Sequence, residues 1–300
     1  MAQDNLAWQS KLVLLAVLPF AATDVLLACF GWATVSPAVV IWTLGLSALL
    51  GLITWRLRAA MPAAAATGAL ITASLMFSTV EFPYEPWHTA LIPVLAVSLL
   101  AFAATHAGRR QKERLGTAEA RRGRSAAQVA ANLGLAALVA SEPVRIWFLD
   151  SRWLPLRAHS GTLMPAMALA ALAEAAADTV SSEIGQVLGG RPRMITTLRA
   201  VEPGTDGAVS MVGTLAGLVA AAIVAGIGSW AMRGDWNLFT LICAGAIFGL
   251  VFDSLLGATL ERKGWLNNDA VNFLSTAAAA GFALGLMAVM PHFGGPMAQS

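Results

Sequence analysis

Three carboxylates stand within ten residues at the end of an otherwise apolar stretch. Glu174, Asp178 and Glu183 follow Leu163-Met-Pro-Ala-Met-Ala-Leu-Ala-Ala-Leu-Ala. A carboxylate at the centre of a bilayer costs about 3 kcal/mol or more, so it persists there only with a partner, a water-filled cavity or a bound cation. Two further apolar runs carry acids near an end. Asp253, Gly257 and Glu261 fall at i, i+4 and i+8, which is one helix face. Asn267-Asn268-Asp269-Ala-Val-Asn272 opens another run, where Asn268, Asp269, Asn272 and Ser275 form a polar stripe. One of the two leading asparagines suits a helix N-cap.

Hard oxygen donors without clustered His or Cys suit Mg²⁺, which keeps several waters and is shared with substrate phosphates. On that chemistry Asp178, Glu183, Asp253 and Asp269 are the candidate catalytic and metal-binding residues. Glu174, deeper in its run and outside any motif, ranks below them. His88, His106, His159 and His292 are scattered and make no zinc pattern. No Ser-His-acid or Cys-His pairing is evident, and there is no Walker lysine motif.

Basic residues and a glycine turn lie close by. Arg191, Arg193 and Arg199 flank Thr196-Thr197 and the turn Pro203-Gly-Thr-Asp-Gly207. Guanidinium groups and free backbone N–H groups at a helix start are what polyphosphate binding needs. Arg193, Thr196, Thr197, Gly204, Thr205, Gly207 and Ser210 are therefore candidate substrate- or nucleotide-binding residues, although a plain interhelical turn explains the same string. Arg124, Gln128 and Asn132 join them. Gln128 and Asn132 are four apart inside an apolar span, where amides need partners. Asn268 and Asn272 are the candidates for orienting ligands.

The elements that position these groups follow from composition. Of 300 residues, 57% are hydrophobic and 12% charged, with mean hydropathy +0.69; a soluble protein carries about 25% charged residues. The chain reads as an all-α, polytopic integral membrane protein in the cell membrane. Apolar runs of about 20 residues define about nine transmembrane helices, near 12–33, 36–55, 60–80, 88–106, 126–147, 162–187, 209–231, 237–260 and 269–290. Cys29 and Cys243 both fall inside such runs, so no disulfide framework is implied. A net charge of +2 argues against nucleic acid as a partner.

The loop from Arg109 to Arg124 carries seven Lys/Arg against two Glu and marks the cytoplasmic face. Threading outward from it puts the amino terminus, the polar ends of spans six and eight and the starts of spans seven and nine on that face, and makes Glu81–His88 an external loop. Residues 1–107 then form a four-span scaffold, 108–125 a basic cytoplasmic loop, 126–290 a five-span catalytic-type domain and 291–300 a tail. Intramembrane carboxylates also suit an ion-coupled secondary transporter, which needs acids at the midplane and a path to both faces. A non-catalytic lipid-binding protein is the third alternative.

Six strings, in order, resemble the membrane family known as domain of unknown function 92. They are Gln128-Val-Ala-Ala-Asn132, Ala177-Asp-Thr-Val-Ser-Ser-Glu-Ile-Gly185, Pro192-Arg-Met-Ile-Thr-Thr197, Pro203-Gly-Thr-Asp-Gly-Ala-Val-Ser210, Asp253-Ser-Leu-Leu-Gly-Ala-Thr-Leu260 and Leu266-Asn-Asn-Asp-Ala-Val-Asn272. The match is dense over about 105–290 and general in the first four spans. Val180 stands where the family string has tryptophan, and Ala208 where it has a second glycine. The resemblance implies a relative of polyprenol and phytol kinases, in a branch that adds a second phosphate to an isoprenyl monophosphate. A nucleoside triphosphate, CTP favoured over ATP, would be the donor, with Mg²⁺ as cofactor and an isoprenyl-phosphate lipid and membrane lipids as partners.

Overall fold

The computed structural model describes residues 6–117, 123–150 and 160–289. The tail 291–300 and part of the basic loop, expected above, lie outside them. Among the described residues the chain is almost wholly helical. The helices are α1 (Ala7–Val35), α2 (Pro37–Arg56), α3 (Pro62–Ser78), α4 (Leu91–His106), α5 (Arg109–Leu115), α6 (Ala126–Ala140), α7 (Glu142–Asp150), α8 (Ser160–Leu188), α9 (Met211–Ala231), α10 (Trp236–Leu256) and α11 (Asn268–Val289). A π-helical turn, Gly257–Glu261, continues α10. The one sheet among the described residues is a small antiparallel pair, β1 (Arg193–Met194) and β2 (Ala208–Val209).

The chain is a multi-pass integral membrane protein. Among the described residues six helices are long and apolar enough to cross a bilayer: α1, α2, α8, α9, α10 with its π turn, and α11; α4 and α5, bent by 63°, make a seventh if taken together. The remaining apolar helices, α3 and α6, have only 17 and 15 residues. The expected run 126–147 is broken. Helix α6 stops at Ala140, Ser141 is extended, and α7 restarts at Glu142. Pro143 disfavours helix at the residue before it, and Asp24 of α1 accepts a hydrogen bond from the Glu142 N–H at 2.9 Å.

Helix α8 is the hub, packed against α4, α6, α9, α10 and α11. Its middle is apolar on every side and mostly alanine, and Leu169 to Ala173 are fully buried. Small side chains let neighbouring backbones approach where dispersion, rather than water exclusion, holds helices together. By contrast α1 and α2 turn Leu15, Leu26, Phe30, Ile41 and Trp42 outward, as lipid-facing helices do.

Interhelical hydrogen bonds gather the polar ends at two levels. At one end, Gln9 and Ser10 of α1 meet residues 265–269, and the exit of α2 pairs with Arg124 ahead of α6. At the opposite end, His88 meets the carbonyl of Ala231 at 3.1 Å and Arg233 bonds Glu85 at 2.8 Å. Successive apolar helices therefore alternate in direction, as the charge threading requires.

Candidate functional site

The acids of α8 and α10 converge. The Asp178 and Asp253 side chains are hydrogen-bonded to each other, and Glu174 lies within electrostatic range of both. Ionised carboxylates only accept hydrogen bonds, so such a contact requires a shared proton or a cation between them. Close helix packing brings the groups together. A methyl added at Gly249 would meet Glu174 Cγ at 2.5 Å and Ala279 Cβ at 2.8 Å, so the glycine is where α8, α10 and α11 touch. Glu174 is 1% exposed, with Ser275 of α11 near its carboxyl. Its Oε1 and the Oδ1 of Asp253 are buried with no hydrogen-bond partner.

The loop between α8 and α9 closes over this end. Its β1–β2 pair aligns Arg193 with Val209 and Met194 with Ala208. Gly207 adopts φ +72°, a left-handed conformation open to glycine at little cost. Its backbone presses on the π turn, and a Cβ on Gly257 would in turn meet the Gly207 nitrogen at 2.8 Å. That contact sets Asp206 within electrostatic range of Glu261 and Arg262, and Glu261 within range of Asp178 and Asp253. Although Asp206 is exposed as a residue, partial burial lifts its carboxyl above the usual range, with the Arg262 guanidinium pulling it down. Arg124 supplies positive charge facing Asp178.

The other sequence-derived candidates divide by position. Glu183 is pinned by Lys112 of α5, at 2.5 Å, and by the Thr105 hydroxyl at 3.3 Å. Lys112 is fully buried and also donates to the Ala104 carbonyl at 2.7 Å. Asp269 accepts a hydrogen bond from Ser10 at 2.6 Å, on the side of α11 that meets α1. Among the described residues, no three His, Cys, Asp or Glu side chains are grouped so as to hold a metal ion by themselves. Asn267, not Asn268, caps α11, accepting from the Ala270 N–H at 2.9 Å. Asn268 begins the helix, and the Asn272 carbonyl accepts from Ser275 at 3.0 Å.

Gln128 closes a reciprocal capping box with Ser125, with contacts of 2.7 and 3.2 Å. Asn132 is buried and donates to the Gln128 carbonyl at 2.8 Å. Ser210 caps α9 through the Gly213 N–H at 3.1 Å. Thr205 bonds the Glu202 carbonyl at 2.7 Å within the turn, and Gly204 has φ +85°. Arg193 is exposed and bonds the Leu198 carbonyl at 3.0 Å, with Thr196 and Thr197 exposed beside it. The sequence placed Glu261 on the Asp253 face without ranking it among the site residues, and did not single out Asp206, Arg262 or Lys112. The i+8 spacing from Asp253 was a signal for Glu261; nothing local to the sequence singles out Lys112 or Arg262.

A cavity of about 340 Å³ adjoins the acids on the side of α2, α3, α4 and α6. Arg124 and Thr105 line it, and Ala175, next to Glu174, closes one wall. The second, third and fourth of the spans expected to be scaffold therefore supply most of its lining.

Comparison with known proteins agrees with this architecture. The family model described as integral membrane protein DUF92 matches residues 45–280. An uncharacterized membrane protein of Methanocaldococcus jannaschii is 44% identical over 108 residues, 36% of this chain and 45% of that protein. An uncharacterized membrane protein of Synechocystis sp. is 33% identical over 212 residues, 67% of this chain and 75% of its own length. Protein VTE6, chloroplastic, of Arabidopsis thaliana is 31% identical over 185 residues, 61% of this chain and 54% of that protein. The matches thus span about half the length of two of these three relatives. No solved structure matches the chain. With a family model covering most of its length and the expected motifs brought to one end of a helical bundle, the chain belongs to the DUF92 family of integral membrane proteins.

Proposed function

We propose that this protein is a membrane-embedded kinase that transfers a phosphoryl group from a nucleoside triphosphate to a prenyl or phytyl monophosphate. CTP is favoured over ATP. The observation that carries the reading is the half-buried Asp178–Asp253 carboxyl pair, close to the glycine turn that brings Asp206 within electrostatic range of Glu261 and Arg262. The resemblance to phytol and polyprenol kinases supports it, as does the similarity to VTE6.

The chemistry asks little of a base. An acceptor monophosphate oxygen, already anionic, attacks the terminal phosphorus of the donor. The bond from that phosphorus to the bridging oxygen breaks, and the nucleoside diphosphate leaves with the electron pair. Rate acceleration then rests on alignment and charge neutralisation. In this chain Arg124 provides positive charge toward Asp178 and Arg262 toward Asp206. The loop backbone holds its shape through the bond from the Ile195 N–H to the Gly207 carbonyl at 3.1 Å.

Mg²⁺ usually takes one or two carboxylates and completes its shell with water and substrate phosphates. Asp178 and Asp253 offer such a pair of oxygen donors, and the partnerless Oδ1 of Asp253 fits that use. When bound, the ion neutralises phosphate oxygens. The basic residues of 109–124 orient this end toward the cytoplasm, where nucleotides are found. Asp24, the buried acid inside α1, is consumed by Ser74, Ser78 and the Glu142 N–H.

The test is direct. Purified protein given CTP, Mg²⁺ and geranylgeranyl monophosphate should form the diphosphate. Asp178→Asn and Asp253→Asn should each lower turnover by about 10²-fold or more while the protein stays folded. A folded wild-type protein that makes no diphosphate from any prenyl monophosphate with either nucleotide would sink the proposal.

A further inference from the structure

The cavity beside the acids differs sharply from one end to the other. At the end beside the basic loop it is lined by Arg58, His106, Arg109 and Arg124. Deeper in, Leu50, Val94, Val97, Val129 and Leu133 form its walls. No Asp or Glu lies among the described residues that line it. From His106 to Val94 the lining follows α4 through twelve residues, or about 18 Å at the α-helical rise. An elongated slot with mostly apolar walls, interrupted by Thr72, Ser98 and Asn132, ends in three guanidinium groups, of which Arg109 is paired with Glu113 at 3.3 Å; that polarity matches a single-chain lipid with a phosphate at one end. The join to the acids is Arg124, which lines the slot and faces Asp178.

Gly68 lies on the lining of α3, six residues beyond Pro62, or about 9 Å further in. A Cβ added there would meet only Val129 Cγ1, at 3.7 Å, so a larger side chain would have the slot itself to occupy. A glycine inside a helix costs about 1 kcal/mol relative to alanine; what it provides here is unfilled volume.

We infer that this cavity holds the acceptor lipid, its phosphate at the arginine end, and that Gly68 sets the chain length the slot admits. Naming the lipid a prenyl monophosphate rests on the function proposed above. The slot's polarity and the place of Gly68 do not.

The experiment is displacement of radiolabelled geranylgeranyl monophosphate from purified full-length protein in detergent. Competitors are geranyl, farnesyl and geranylgeranyl monophosphates, geranylgeraniol and phosphatidic acid. Gly68→Leu should bind geranylgeranyl monophosphate at least about tenfold more weakly, with geranyl monophosphate changed by less than about threefold and thermal stability kept. Arg58→Gln should weaken all the monophosphates and leave geranylgeraniol unchanged. A Gly68→Leu protein with wild-type discrimination among chain lengths would overturn the inference. So would a wild-type protein that binds no prenyl monophosphate, or one from which phosphatidic acid displaces the label equally well, which would indicate a bilayer phospholipid. Chain-length-dependent binding without diphosphate formation would support the slot and count against the kinase reading alone.

Discussion

Replacing Gly207 by alanine perturbs the candidate site while leaving every charged group in place. Gly207 sits at φ +72°, where an L-residue costs about 1–2 kcal/mol. The added methyl would also overlap the backbone nitrogen and Cα of Ala258, and would lie 2.5 Å from its Cβ. Ala258 belongs to the π turn, so relief requires either that turn or the 203–207 loop to move. Overpacking of that kind costs about 1–3 kcal/mol more. Whichever moves, Asp206 loses its position against Glu261 and Arg262. A displacement of about 1 Å in an aligned site can lower turnover about 10²-fold. The expected outcome is therefore a folded protein, moderately destabilised in detergent unfolding, whose kcat for diphosphate formation falls far more than its stability. Adding Ala258→Gly should restore only part of the loss, because the backbone obstruction remains. A Gly207→Ala protein with wild-type stability and wild-type kcat would refute the reasoning, since it would mean that the turn does not bear on the π segment.

The remaining predictions concern the supports of the site. Lys112→Met leaves Glu183 largely buried beside the Thr105 hydroxyl alone, and should cost about 3–5 kcal/mol in unfolding free energy. Adding Glu183→Gln should recover a good part of that, and effects additive within about 0.5 kcal/mol would show the pair to be uncoupled. Asp24→Leu strands Ser74 and the Glu142 N–H and should cost about 1–3 kcal/mol without lowering kcat; a large loss of turnover in the folded protein would instead tie that end of the bundle to function.

Much of the bundle was legible because the bilayer constrains sequence so strongly. Uniform apolar runs such as 12–33 and 237–260 correspond to α1 and α10, and the bias of Lys and Arg toward 109–124 agrees with the alternating helix directions. The break at Ser141 was harder to see, because it depends on a hydrogen bond from Glu142 to Asp24, 118 positions away. Asp178, Glu183, Asp253 and Asp269 look alike as acids at the ends of apolar runs. Their surroundings separate them: Asp178 and Asp253 face each other, Glu183 is paired with Lys112, and Asp269 is bonded by Ser10. Glu174 rose in standing for the same reason, since Gly249 lets α10 close on it.

The sequence by itself determined that this is a multi-pass helical membrane protein with acids, arginines and a glycine turn gathered at one end. Those conclusions need only local composition, helical periodicity and the cost of charge in lipid. Tertiary structure alone decided which acids share a site, that Gly207 leans on the π turn, and that α2, α3, α4 and α6 enclose a slot with an arginine end. Each of those facts is a contact between helices remote in sequence. Such contacts depend on how small residues let backbones approach, which no single span records.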